Sequence, residues 1–138
     1  DATAPPLPDG RPAPAAHAVV EVEANGATHY GLADAEGRAV VAFPHPVVAV
    51  ALSGSPPSGG APLGEQTWTV TTRIRYQPSV LRFGPDPVLP ELASRFDQGL
   101  ATVEGSPPGT DVAAVLRFGE ALVLRAGDGG PLPISPAP

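Results

Sequence analysis

Turn signals recur along this chain roughly every eight to twelve residues, with short apolar or alternating runs between them. The clearest stretch runs from Ala18 to Phe43. Val20 and Val22 alternate with Glu21 and Glu23, the period of a half-buried strand. Asn25-Gly26 follows at once. Both residues tolerate positive φ, so a two-residue type I′ hairpin turn is predicted, with Ala27 to Leu32 returning. Asp34-Ala35-Glu36-Gly37 reads as the next turn, Asp34 bonding its own backbone and Gly37 sitting left-handed. Arg38 to Phe43 is a third strand, stopped at Pro44-His45-Pro46 because proline cannot donate to a ladder. Val47 to Leu52, apolar on both faces, reads as a fourth, central strand.

Gln66 to Gln77 alternates cleanly. Trp68, Val70, Thr72, Ile74 and Tyr76 fall on one face, and Thr67, Thr69, Thr71, Arg73 and Arg75 on the other. One short helix is expected over about residues 90–98, with Leu92, Ala93 and Phe96 at helical spacing behind Pro90. Asp111–Phe118 and Ala121–Arg125 are read as the last two strands, joined at Gly119-Glu120 by a type II′ turn with glycine first. About seven strands of this kind predict an all-β fold, an Ig-like or prealbumin-like two-sheet sandwich. The domain is expected over 15–128, with a long Pro/Gly-rich loop at 53–65. Residues 1–14 and 129–138 are Pro-rich and read as an extended or loose N-terminal arm and C-terminal tail.

The chain has no Cys, Met or Lys among 138 residues. Lack of Cys excludes a disulfide framework, a thiolate metal site and a Cys nucleophile. Eight Arg stand against 14 acids, a formal net charge of −6. Phosphate binding needs a local cationic excess, so nucleic acid is not an expected partner. The longest apolar run, Val47–Leu52, is far short of the roughly 20 residues of a spanning helix. No signal peptide is visible at the start. A cytoplasmically assembled particle is the favoured location, with a secreted or surface protein as the alternative.

Gly10-Arg11-Pro12, the strand from Val19 to Val22, the run from Gly31 to Arg38 and the strand ending at Phe43-Pro44 resemble the carboxypeptidase regulatory-like, or transthyretin-like, β-sandwich family. In that family an Asp-x-x-Gly-Arg turn links two strands. The resemblance covers 10–52. The insert at 53–64, the helix and the extended second half depart from it. The segments HYGLADAEGRAVVAFPHP, QTWTVTTRIRYQPS and LRFGEALVLR are also similar to accessory proteins of contractile phage-tail-like injection systems. That similarity implies a structural role in a baseplate, spike or cap.

Candidate chemistry is sparse. His17, His29 and His45 lack metal-ligand spacing, so solvated strand histidines are the preferred reading and no cofactor or metal is expected. The Asp34 turn lacks the further ligands of a calcium loop. Glu21 and Glu23 stand about 7 Å apart along one strand face, a spacing that overlaps inverting glycosidases but is also ordinary solvation. Ser53, Ser55, Ser58 and Ser106 sit in Pro/Gly loops without a nucleophile elbow. A non-enzymatic module is therefore expected. Arg73 and Arg75, with Arg82, carry two readings: a cationic patch for an acidic partner, or a ladder balanced by cross-strand acids. Asn25, Gly26, Asp34, Gly37 and Gly119 are the structural turn residues. The leading expectation is an assembly module contacting other protein subunits through loops, edge strands and tails. The alternative is an adhesin-like or carbohydrate-binding sandwich with Trp68, Tyr30 and Tyr76 as stacking residues.

Overall fold

The protein is described from a computed structural model that covers residues 13–44, 65–85, 87–105, 107–126 and 130–138. Six strands and one short helix form there: β1 Val19–Ala24, β2 Ala27–Leu32, β3 Thr67–Arg75, α1 Leu92–Phe96, β4 Thr102–Val103, β5 Val112–Arg117 and β6 Ile134–Ser135. The fold is all-β. One antiparallel sheet has the order β2-β1-β3-β5, and β4 pairs with β6 in a second, two-stranded sheet. The expected strand at 47–52, the loop 53–64 and residues 1–12 lie outside the described residues, and these residues alone do not draw two stacked sheets of sandwich size.

The β1–β2 hairpin forms as its turn residues dictate. Asn25 and Gly26 have φ of 50° and 78°. Both signs match a type I′ turn, whose twist follows that of the strands. The ladder closes from Val19–Leu32 down to Ala24–Ala27. The Asp34 turn also forms. The Asp34 carbonyl accepts from the Gly37 N–H at 3.1 Å, and Gly37 has φ of 74°. Asp34 Oδ1 accepts from the Glu36 and Arg38 N–H groups at 3.0 and 2.9 Å.

The register of β1 with β3, Val22 opposite Thr72 and Ala24 opposite Val70, puts the even-numbered residues of these strands on one face. That face carries the core. Val22, Ala24 and Val70 are buried, packed by Val20, Val41, Phe43, Ala114 and Leu116. Ala18, Ala33, Tyr76 and Ala101 form a second cluster toward the strand ends, packed by Ile74 and Ile134. Burying a Val side chain is worth about 1.5–2 kcal/mol, so this alanine-rich core depends on close approach rather than bulk.

Residues 38–43 do not form the expected third strand. They keep its alternation, with Ala39, Val41 and Phe43 turned to the core, but lie over the sheet face instead of joining a ladder. The approach is tight at Gly31, where a Cβ would stand 2.5 Å from the Val40 carbonyl oxygen. The helix is shorter than expected, five residues. Beyond it the Gly99 carbonyl is taken by the Tyr76 N–H at 3.0 Å.

Three expectations for the second half are corrected. Residues 121–125 form no strand. The Glu120 N–H bonds the Arg117 carbonyl at 3.2 Å, so Gly119, φ 73°, is the second central residue of its turn and not the first. The C-terminal tail is not loose. Its Ile134 and Ser135 pair with Val103 and Thr102. The Ala137 N–H donates to the Tyr76 carbonyl at 2.8 Å, and Gln77 Nε2 donates to the Pro138 carbonyl at 2.6 Å.

Candidate protein-contact surface

Helix α1 starts behind Pro90, with Glu91 at its N-cap. Its spacing predicts Leu92, Ala93 and Phe96 facing inward. The structure turns it the other way. Ser94, Arg95 and Gln98 are buried, while Leu92 and Phe96 are 59% and 40% exposed. The cause is a set of backbone groups at the sheet end that need partners, since an unpaired buried polar group costs about 1–3 kcal/mol. Arg95 Nη2 donates to the Ala33 carbonyl at 2.6 Å and Nε to the His17 carbonyl at 3.3 Å. Gln98 Nε2 donates to the same His17 oxygen at 3.1 Å, and Gln98 Oε1 accepts from the Gln77 N–H at 2.9 Å. Ser94 Oγ donates to the Glu91 carbonyl at 2.8 Å and accepts from the Arg82 N–H at 3.1 Å. Desolvation pushes the Arg95 pKa below the usual arginine value, and arginine stays cationic there.

With its polar side spent inward, α1 presents its apolar side outward. Tyr30 of β2, 51% exposed, meets the Phe96 ring edge-on with centroids 5.5 Å apart. Leu32 follows on the same face of β2 and is also exposed. Leu92 sits one turn before Phe96. Tyr30, Leu32, Leu92 and Phe96 thus make an exposed apolar surface, with the Arg82, Glu91 and Asp97 charges of the helix beside it. The spacing of Ser94, Arg95 and Gln98 at i, i+1 and i+4 was the available signal for the inversion. It shows a polar face as continuous as the apolar one.

The three cations singled out in the sequence each hold carboxylates of their own chain. Arg73 Nε and Nη2 reach Asp111 at 2.8 and 3.1 Å, and Nη1 reaches Glu23 at 3.4 Å. The Asp111 carboxyl is held below the usual range, first by its hydrogen bond from Arg73. Arg75 Nε pairs with Glu21, and its Nη1 reaches the Gln98 carbonyl at 3.2 Å. Arg82 pairs with Asp97 at 3.1 Å and Glu91 at 3.4 Å. Arg73, Arg75, Glu21 and Glu23 therefore form a cross-strand ladder, and an acidic partner would have to break those pairs.

The histidines part. His29 stacks on Phe43, centroids 4.7 Å apart, while His17, at φ 62°, stands edge-on to Phe83 at 6.2 Å. His45 lies outside the described residues. Of the stacking residues named for a glycan, Tyr76 is buried, Trp68 half-buried, and Tyr30 already sits against Phe96. Two shallow clefts, of about 250 and 350 Å³, flank β5. Among the described residues no helix is long and apolar enough to cross a membrane. Comparison with protein-family models, with curated proteins and with solved structures finds no match to this chain.

Proposed function

We propose that this protein is a non-enzymatic structural module that docks onto other protein subunits of a larger particle. The observation that carries the reading is helix α1 with Leu92 and Phe96 outward beside Tyr30. Aromatic side chains exposed together on one surface are characteristic of protein interfaces. The helix is pinned by Arg95 and Gln98 to backbone carbonyls, so the surface is presented rigidly. Rigid presentation lowers the ordering cost of binding. The particle in this reading is a contractile, phage-tail-like one, a choice that rests on the resemblance of the segments around Tyr30, Trp68 and Leu116 to injection-system accessory proteins.

The test is sedimentation of extracts from the source cells. The protein is expected in fast-sedimenting fractions with sheath, tube and baseplate subunits identified by mass spectrometry, and Phe96→Ser is expected to release it. Recovery of the wild-type protein only in slow fractions would reject the proposal.

A further inference from the structure

The chain has a single asparagine among its 138 residues, and a glycine follows it at the tip of the first hairpin. Asn25 and Gly26 are both exposed. Their φ angles of 50° and 78° set the two-residue turn, and the β1–β2 ladder begins outside it at Ala24–Ala27. In a turn of that length the closing bond is made by the flanking residues, so the ladder does not use the Gly26 N–H. Beyond its chain neighbours nothing stands within 4 Å of where a Gly26 Cβ would be. A glycine nitrogen in open space is approachable in a way that one behind a side chain is not. Asparagine is among the thermolabile residue types.

We infer that Asn25 is a self-modification site, where water converts the side-chain amide to a carboxylate through two products of opposite effect on the hairpin. The Gly26 nitrogen, its proton taken by base in solution, attacks Asn25 Cγ. The N–Cγ bond forms, the Cγ–Nδ2 bond breaks, and Nδ2 leaves as ammonia with the proton. A five-membered imide remains, and one water adds at either of its carbonyls. Addition at Cγ breaks the new N–Cγ bond and leaves an aspartyl residue on the original main chain. Addition at the main-chain carbonyl carbon breaks its bond to the Gly26 nitrogen and routes the chain through Cγ, an isoaspartyl residue. Nothing is oxidised or reduced, and either product adds one negative charge to a chain at −6. Asp-Gly suits a type I′ turn as Asn-Gly does, so the aspartyl form keeps the hairpin. The isoaspartyl form has one more main-chain carbon between Ala24 and Ala27. Loop length sets the register of a hairpin, so the added atom works against that pair and loosens β2, whose ladder from Ala27 to Leu32 is made with β1. Ring closure takes Asn25 out of its turn conformation, so the folded chain reacts through opening of the tip, more slowly than the unfolded chain.

The experiment is incubation of the purified full chain in warm, mildly alkaline buffer, native and in guanidinium chloride, followed by mass spectrometry. The chain has no other Asn and no Met or Cys to oxidise, so an amide-to-acid mass change in the peptide Ala24–Glu36, released by cleavage after glutamate, reports Asn25. Edman degradation halts at the second residue of that peptide in the isoaspartyl form and reads through it in the aspartyl form. The native chain is expected to convert, several-fold more slowly than the unfolded chain. Asn25→Gly keeps a type I′ turn and is expected to show no change. The separated isoaspartyl form is expected to lose amide-exchange protection along β2, and the Asn25→Asp variant to keep it. A native chain that stays unconverted while the unfolded chain converts fully would overturn the site. An isoaspartyl form with wild-type protection in β2, or an Asn25→Asp variant without it, would overturn the opposite effects on the hairpin.

Discussion

At the scale of single residues, charge in this protein is sorted by how much water it keeps. Arg38 and Asp34 are exposed and joined at 3.0 Å, a pair that water screens heavily. Glu21 is buried, and its pairing with Arg75 is a requirement, because removing Arg75 strands a carboxylate away from solvent. Asp34 earns its position mainly as an acceptor. The Arg38 backbone N–H, and then its side chain, hold the Asp34 carboxyl below its ordinary range, and Arg73 does the same to Asp111. A folded-state pKa below the unfolded one adds stability that is complete above the unfolded pKa and is lost as pH falls through the folded value. Stability is therefore expected to stay level from neutrality to about pH 4 and to decline below it. Asp34→Asn keeps an oxygen for the Glu36 and Arg38 N–H groups and loses the titration. Urea midpoints should show the variant below wild type at neutral pH and the two converging as pH falls, so that the variant has the shallower acid limb. An unchanged acid limb would mean that Asp34 contributes nothing to it.

At the scale of elements, legibility follows from whether the deciding partner is local. Asn25-Gly26 and Asp34 with Gly37 fix their turns through their own backbone preferences, so the sequence is enough to place them. The face of β3 was equally readable, because alternation of Val70, Thr72 and Tyr76 needs only a period, and all three are buried. The orientation of α1 was not readable, since it is decided by carbonyls of His17 and Ala33, which are far away in the chain. Residues 38–43 alternate like a strand, but whether they join an edge or lie over a face is decided at Gly31, which leaves room for Val40 and Val41. The helix yields a prediction that separates its two sides. Phe96→Ser and Leu92→Ser act on exposed positions and should shift stability by about 0.5–1 kcal/mol at most. Gln98→Leu leaves the Gln77 N–H without its acceptor and removes a donor from the His17 carbonyl, which should cost about 3 kcal/mol. Chemical denaturation of the variants decides it, and the reverse order would mean that the polar side of α1 does not hold it in place.

At the scale of the whole molecule, the described residues show a chain whose late segments complete what its early ones begin. The core cluster of Ala18 and Ala33, from the first hairpin region, is closed by Tyr76, Ala101 and Ile134. The Pro-rich composition of residues 131–138 concealed this, because proline forbids ladder donation at its own position while leaving Ile134, Ser135 and Ala137 free to bond. Removal of residues 133–138 deletes the Ile134 side chain from the cluster, the β4–β6 pairing, the Ala137 bond to Tyr76 and the acceptor of Gln77 Nε2. Burying Ile is worth about 2 kcal/mol and each hydrogen bond about 1 kcal/mol, less the ordering entropy of the segment. The expected net loss is about 2–3 kcal/mol, a large fraction of the roughly 5–15 kcal/mol that holds a domain together. In urea the shortened chain should unfold at a lower midpoint and its Tyr76 amide should exchange faster, because the strand end is no longer covered. An unmoved midpoint with faster exchange at Tyr76 alone would make the segment a local clasp, and the closure of the core would then rest on Ala101 and Tyr76 without it.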